Sequence, residues 1–252
     1  MRDLTIEELL DAGVHYGHQT SRWNPKMKPY ILTSRGGIHI INLYKTKQML
    51  EVAYEVTRQA AQKDATILFV GTKKQAKDVI REEAERAHVF YVCERWLGGM
   101  LTNFKTIRTS VQRLKELEKM KISGEYKSYT KKEVLKMEKE REKLERNLGG
   151  IKDMERLPDL VFLVDQKKEE TAVREIKRVG AKLIALTDTN ADPDPVDFVI
   201  PANDDALKSI RFITALIADA VIEGRQMAAP TSDWEQKEKE EKTEHKEEEK
   251  KE

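Results

Sequence analysis

Short apolar runs alternate with amphipathic segments along most of the chain. The runs are continuous and rich in β-branched residues, which is typical of strands buried on both faces of a parallel sheet. They lie at Thr66–Val70, Val89–Cys93, Leu160–Val164, Leu183–Leu186 and Phe198–Ile200, and Ile38–Ile41 is a further candidate strand. Helical periodicity occupies residues 43–62, 73–87, 169–179 and 204–226. This alternation predicts a doubly wound α/β fold.

One connection is much longer than a strand-to-strand crossover requires. Residues 94–159 separate the second and third of these five runs. Apolar residues at three-four spacing mark two helices there, through Ile107, Val111, Leu114 and Leu117, and through Val134, Met137, Leu144 and Leu148. We therefore predict an inserted α-helical hairpin at about 105–150. It is either a solvated insertion or an arm that reaches a partner, and a carboxylate-free stretch at its base favours the arm.

Composition separates a basic body from an acidic tail. Charged residues make up 36% of the chain, against about 25% in typical domains. Residues 231–252 contain ten acidic and six basic side chains and almost no apolar residue, which predicts a disordered Lys/Glu-rich tail. Because the whole chain carries +1, residues 1–230 carry +5, and we predict that they form one α/β domain.

The N-terminus and the cysteine content predict a cytoplasmic protein. Thr5 and Glu8 read as a helix capping box with Gly13 as the stop, unlike the basic-then-apolar pattern of a signal peptide. No apolar run approaches the ~20 residues needed to cross a bilayer. Cys93 is the single cysteine, which excludes an internal disulfide and fits a reducing compartment.

Two long stretches, here called the acid-free segments, contain no Asp or Glu. The first runs from Ala12 to Leu50 and the second from Arg95 to Lys115. Cations and aromatic residues alternate in both, including Trp23, Tyr30, Trp96 and Phe104. Since a nearby carboxylate cancels a cation, such gaps favour contact with phosphate, and aromatic rings can stack on bases. The aromatic residues could equally belong to the core.

The sequence GTKK, at residues 71–74, follows a predicted strand and precedes a predicted helix. Backbone N–H groups at a helix start attract anions, so Lys73 and Lys74 are candidate phosphate contacts. A structural turn is the alternative. The segment lacks the glycine and Lys-Ser/Thr spacing of a nucleotide P-loop.

Strand-end carboxylates provide the main enzyme-like feature. Asp165, Asp188, Asp204 and Asp205 follow predicted strands, where open α/β sheets bind ligands. They could hold one divalent metal ion, with Asp188 and Asp205 as candidate ligands, or cap helices, as Asp204 would. His15 and His18 flank Gly17 without a neighbouring acid or cysteine, which argues against a metal pair. The alternative function is a nucleotide- or sugar-phosphate-binding enzyme, although no catalytic triad or dinucleotide motif is present.

Several motifs together resemble the family of bacterial small-subunit ribosomal protein two. They are GVHYGHQTSRWNPKMKPYI, FVGTKKQA, RWLGGMLTNFKTI, LGGIKDM, LPDLVFLVD and DTNADPDPVDFVIPANDDA. The resemblance runs in order from about residue 3 to 226 and leaves out the tail. It implies a flavodoxin-like, three-layer α/β/α domain with a five-stranded parallel sheet and an inserted helical hairpin.

The resemblance also implies a function. It implies a non-catalytic structural constituent of the small ribosomal subunit that binds ribosomal RNA between head and body, contacts neighbouring proteins and helps to dock ribosomal protein one. No cofactor is required. The residues expected to contact RNA are Arg22, Trp23, Asn24, Lys26, Lys28, Lys73, Lys74, Arg95, Trp96, Gly98, Gly99, Asn103, Lys105 and Arg108.

Overall fold

A computed structural model describes residues 4–228, so the predicted tail lies outside the described residues. Five parallel strands form its centre in the order β5-β4-β6-β7-β8. Their bounds are β4 Ile67–Val70, β5 Phe90–Val92, β6 Leu160–Val164, β7 Lys182–Thr187 and β8 Phe198–Pro201. Each of the five predicted runs therefore forms a strand, and the parallel pairing confirms the α/β fold class.

Helices cover both faces of this sheet. They are α1 Ile6–Asp11, α2 Leu43–Gln62, α3 Lys77–Arg86, α4 Phe104–Ser123, α5 Lys131–Leu148, α6 Glu170–Val179 and α7 Leu207–Ala228. Alternate strand residues point to opposite faces, so Phe69 and Phe162 pack with α2, α3 and α7, whereas Val161 and Leu163 pack with α6 and the start of α4. The result is a three-layer α/β/α architecture.

The inserted hairpin consists of α4 and α5. Ile107, Val111, Leu114 and Leu117 are buried along α4, as their spacing predicts. Gly124 ends α4 in the left-handed conformation (φ 79°), and Thr130 with Glu133 forms a capping box that starts α5. Arg141 lies in the seam and pairs with Glu138 of the same helix at 2.7 Å.

The first acid-free segment forms a second, three-stranded antiparallel sheet. Its strands are β1 Tyr16–Gln19, β2 Ile31–Arg35 and β3 Ile38–Ile41, in the order β1-β3-β2. Only β3 was predicted, because β1 and β2 are short and largely exposed and therefore lack an apolar pattern. Short 3-10 turns at Thr20–Arg22 and Pro25–Tyr30 join β1 to β2.

Two helix starts differ from their predicted positions. Helix α3 begins at Lys77, because residues 73–76 form a turn in which Ala76 N donates to Lys73 O at 2.8 Å. Helix α7 begins at Leu207, after Asn203 Oδ1 accepts hydrogen bonds from the backbone of Asp205 and Ala206. Asn203 therefore takes the capping role expected of Asp204. Among residues 4–228, no helix is both long enough and apolar enough to span a membrane.

Helices α2 and α7 pack so closely that a glycine is required between them. A Cβ on Gly224 would lie 2.2 Å from the carbonyl oxygen of Arg58 and 2.8 Å from Ala61 Cβ. We expect Gly224→Ala to lower the free energy of unfolding by about 1–3 kcal/mol through overpacking, measured by urea denaturation. Gly98→Ala is the control, because no atom lies within 4 Å of its Cβ position. Equal midpoints for the two variants would contradict this packing.

Candidate nucleic-acid interface and the adjacent carboxylate pocket

The first acid-free segment is fastened to the loop that follows β7. His18 N donates to Thr189 Oγ1 and Asn24 N donates to Thr189 O, both at 2.8 Å. Asn24 Oδ1 in turn accepts from Lys26 N at 3.0 Å and caps the turn that follows. Asn24 therefore shapes the backbone here, and residues 20–30 are held at the carboxyl edge of the parallel sheet.

The three predicted cations of this segment differ in their surroundings. Arg22 and Lys28 are exposed, and neither has an ion pair within residues 4–228. The ammonium of Lys26 is also exposed but lies 2.8 Å from Asp192 Oδ2 and 2.5 Å from Asp194 Oδ2. Trp23 is half-buried with its ring 5.1 Å from that of His39. Of these three cations, Arg22 and Lys28 are the most available to a phosphate.

The start of the second acid-free segment, residues 95–103, wraps around one buried carboxylate. Glu175 of α6 is 6% exposed. Its two oxygens accept from Trp96 Nε1 (3.1 Å), Gly99 N (2.8 Å), Leu101 N (3.0 Å) and the backbone and hydroxyl of Thr102 (both 3.1 Å). Burial opposes the charged form, but these donors hold the pKa of Glu175 below its usual value.

The sequence did not identify Glu175. It lies 73 to 79 residues from its partners and occupies one position of a charged helix. The sequence carries one signal for a buried acid here, because Glu175 lies next to Ala172, Val173 and Ile176, which form the apolar stripe of α6. An acid at the edge of such a stripe requires a partner.

The structure corrects the expected role of Trp96. Its side chain is 8% exposed and packs with Val92 and Met100 in the core under α6. Burial leaves no free face on which an RNA base could stack, so Trp96 supports the loop from within. Phe104 is partly buried against the same core.

The remaining predicted residues of this segment form its outer surface. Arg95, Gly98, Asn103, Lys105 and Arg108 are exposed. Arg95 and Lys105 have no ion pair within the described residues, and Arg108 Nη1 donates to Glu155 O at 3.3 Å. Gly99 adopts a φ of 85°, which only glycine takes at no steric cost.

Lys73 enters a group of carboxylates at the carboxyl ends of the strands, here called the carboxylate pocket and formed by Asp165, Asp188, Asp204 and Asp205. Its ammonium lies 3.2, 2.8 and 2.6 Å from Asp165, Asp204 and Asp205, respectively. The side chain is 14% exposed, so its predicted contact with RNA phosphate is replaced by internal ion pairs. Lys74 next to it is exposed.

Negative charge exceeds positive charge in the carboxylate pocket. Burial, reinforced by the charges of Asp188 and Asp165, raises the pKa of Asp204 to about 7 despite the opposing effect of Lys73. His18 Nδ1 lies 3.1 Å from Asp188 Oδ1, and this hydrogen bond raises the pKa of His18. Four carboxylates therefore face one ammonium and one imidazole.

The same pocket contains a candidate set of metal ligands. One ligand atom from each of His18, Asp188 and Asp204 lies within 4.8 Å of the others. This set includes Asp188, as predicted, but contains Asp204 where Asp205 was expected. Asp205 instead pairs with Lys73, and its side chain is about half exposed. His18 lies beside an acid after all, because the fold brings together residues about 170 positions apart.

The comparisons with known proteins identify the family. The family described as Ribosomal protein S2 matches residues 9–224. The chain is similar to Small ribosomal subunit protein uS2 of Geotalea uraniireducens (strain Rf4), with 57% identity over 226 residues that cover 90% of this chain and 88% of the relative. The chain belongs to the ribosomal protein S2 family.

The part that matches the ribosomal protein S2 family contains the features of the candidate site. Both acid-free segments, Glu175 and the carboxylate pocket lie between residues 9 and 224. The Lys/Glu-rich residues 231–252 lie beyond the match. The surface and pocket therefore belong to the part of the chain that defines membership of the family.

Substitution of two neighbouring lysines tests whether the buried ion pairs of Lys73 stabilise the fold more than an exposed cation does. We expect Lys73→Met to lower the free energy of unfolding by about 3 kcal/mol, because it leaves buried carboxylates unpaired. Lys74→Met, at an exposed position, should change it by no more than about 0.5 kcal/mol. The measurement is urea unfolding with a chelator present. If Lys73→Met lowers the free energy of unfolding no more than Lys74→Met does, the ion pairs of Lys73 do not stabilise the fold.

Proposed function

We propose that this protein is a structural constituent of the small ribosomal subunit that binds ribosomal RNA through the two acid-free segments. The observation that carries the proposal is the exposure of Arg22, Lys28, Arg95 and Lys105 without an ion pair within residues 4–228. Family membership supports the same assignment.

The physical basis is the release of counterions from phosphates. Each cation that reaches a phosphate displaces condensed counterions, and the gain is largest where no carboxylate competes. Gly98 has open space around its Cβ position, so a sugar-phosphate backbone could approach the main chain there. Asn24 and Asn103 lie among these cations and offer amide groups for irregular RNA.

The proposal includes the place in the subunit that the family resemblance implies. The protein would bind between head and body in the cytoplasmic ribosome, contact neighbouring proteins and help to dock ribosomal protein one. Its role would be architectural. The carboxylate pocket favours this role over a nucleotide- or sugar-phosphate-using enzyme, because three carboxylates already pair with Lys73, the cation that would otherwise bind a phosphate group.

The hairpin could add a contact with a protein partner. Ile122, Tyr129 and Leu135 are exposed at the end of α4, in the connection and at the start of α5, and Ile122 is 87% exposed. Exposed aliphatic and aromatic side chains at the end of an arm can pack against a protein surface, whereas they gain little from a phosphate backbone. Deleting residues 110–145 and measuring incorporation into the small subunit would separate this contact from RNA binding.

We also propose that the carboxylate pocket binds one divalent metal ion through His18, Asp188 and Asp204. The excess of carboxylates supports this proposal, and so does the mixed nitrogen and oxygen donor set, which suits Mn²⁺ or Zn²⁺. The ion would supply positive charge that Lys73 alone does not provide. Its effect would be to hold the β7 and β8 loops together.

Substitution of the free cations tests RNA binding. We expect Arg22→Ala and Lys28→Ala each to lower the magnitude of the slope of log affinity against log salt by about one, for the small-subunit RNA. Lys26→Ala should have a smaller effect, because Asp192 and Asp194 already neutralise this lysine. Arg211→Ala is the control, since Arg211 is exposed on α7 and pairs with Glu82. If Arg22→Ala and Lys28→Ala leave the slope unchanged, this segment is not part of the RNA interface.

Titration with Mn²⁺ and Zn²⁺ tests the metal proposal. We expect calorimetry of the full chain to show one ion bound, with affinity at least about tenfold weaker in Asp188→Asn, since one charged ligand is lost. Asp219→Asn, on the exposed part of α7, should bind as the unmodified protein does. Absence of binding, or equal affinity in both variants, would contradict the proposed site.

A further inference from the structure

The carboxylate of Glu175 accepts five hydrogen bonds from the 95–103 loop. Three backbone N–H groups, one indole N–H and one hydroxyl converge on its two oxygens within 2.8–3.1 Å. Such an arrangement of main-chain donors resembles the concave sites in which proteins bind free anions. Here the anion is a side chain of the protein itself, supplied by α6.

The carboxylate determines the path of the backbone between residues 96 and 102. Gly99 donates its N–H to Glu175, and its φ of 85° turns the chain that follows in a direction that a residue with a side chain rarely adopts. Met100 and Leu101 then enter the core under α6, where both are almost fully buried. Because Leu101 both buries its side chain in the core and donates its N–H to Glu175, the loop cannot shift by one residue without losing several of these contacts.

Packing of α6 does not by itself require an acid at this position. Ala172, Val173 and Ile176 already bury the inner face of the helix. A buried carboxylate is costly unless donors surround it, and here the donors come from residues 96–102. The contribution of Glu175 is therefore to the conformation of this loop.

The residues that the loop presents outward are those of the proposed RNA surface. Arg95, Gly98 and Asn103 belong to the loop, and Lys105 lies in the first turn of α4, which the loop leads into. Asn103 is held further by the hydrogen bond that its Oδ1 accepts from Thr106 Oγ1 at 2.9 Å. Their spacing depends on the backbone that Glu175 holds.

We propose that Glu175 is a positioning residue for RNA binding: it occupies an internal anion site and fixes the loop that carries Arg95, Gly98 and Asn103 and leads into Lys105 of α4. It touches no RNA itself, because it is buried beneath the loop. This inference rests on the proposed function and identifies the interaction that preorganises one half of the surface.

The first test uses Glu175→Gln, which keeps the side-chain shape but turns an NH₂ group toward backbone N–H donors. We expect the amides of Gly99, Leu101 and Thr102 to exchange hydrogen about tenfold faster or more. Affinity for the small-subunit RNA should fall about tenfold, because the loop is no longer preorganised. Glu170→Gln, at an exposed position of α6 facing Arg174, is the control and should change neither quantity.

The second test is chemical rescue. Glu175→Ala removes the carboxylate and leaves its donors unpaired, so added acetate should restore slow exchange of the three amides and recover RNA affinity. Acetamide has the same shape but carries no charge, so it should restore neither the slow exchange nor the RNA affinity. Acetate is compared with chloride at constant ionic strength, because RNA binding itself depends on salt. If Glu175→Ala does not fold, the comparison of Glu175→Gln with Glu170→Gln decides whether Glu175 positions the loop for RNA binding.

The outcomes separate this inference from the proposed function. If the unmodified protein shows no salt-dependent affinity for the RNA, the proposed function fails and the positioning role fails with it. If the unmodified protein binds and Glu175→Gln binds equally well, whether or not its amides exchange faster, the positioning role alone is overturned. Faster exchange together with weaker RNA binding at a temperature where the variant remains folded supports the inference.

Discussion

A buried charge must find partners inside the fold, and this constraint determines which charges of the protein remain available to a ligand. Lys73 satisfies it with three carboxylates, and Glu175 satisfies it with five donors. Both residues are thereby withdrawn from solvent. Arg22 and Lys28, with no carboxylate within reach among the described residues, stay exposed.

The parallel sheet places these two charged centres at different positions. Strand ends bring Asp165, Asp188 and Asp204 together at one edge, because the carboxyl ends of parallel strands coincide. The antiparallel strands of the first acid-free segment are fastened to the same edge through Thr189. The 95–103 loop follows the outermost strand, β5, and is fixed through α6 instead. Each acid-free segment is therefore held by its own polar contacts.

Glycine and proline explain why these segments are irregular without being loose. Pro25 and Pro29 fix two φ angles in the 3-10 turn Pro25–Tyr30, and Gly99 turns the chain directly after the N–H that it donates to Glu175. A surface that binds an irregular RNA needs cations at fixed positions, since ordering them during binding would cost affinity. Here internal hydrogen bonds order the segments when the protein folds, before RNA binds.

The sequence by itself determined the five buried strands, the hairpin helices and the two carboxylate-free stretches, because periodicity and charge are local properties that reflect burial and solvation. It also carried the motifs of the ribosomal protein S2 family. Only the tertiary structure decided that Lys73 points inward, that Trp96 is core, that Asn203 rather than Asp204 caps the turn before α7, and that Glu175 and His18 have partners. The Asn203 cap is local, but the other facts depend on contacts between residues that the chain pattern does not relate, most of them more than 70 positions apart.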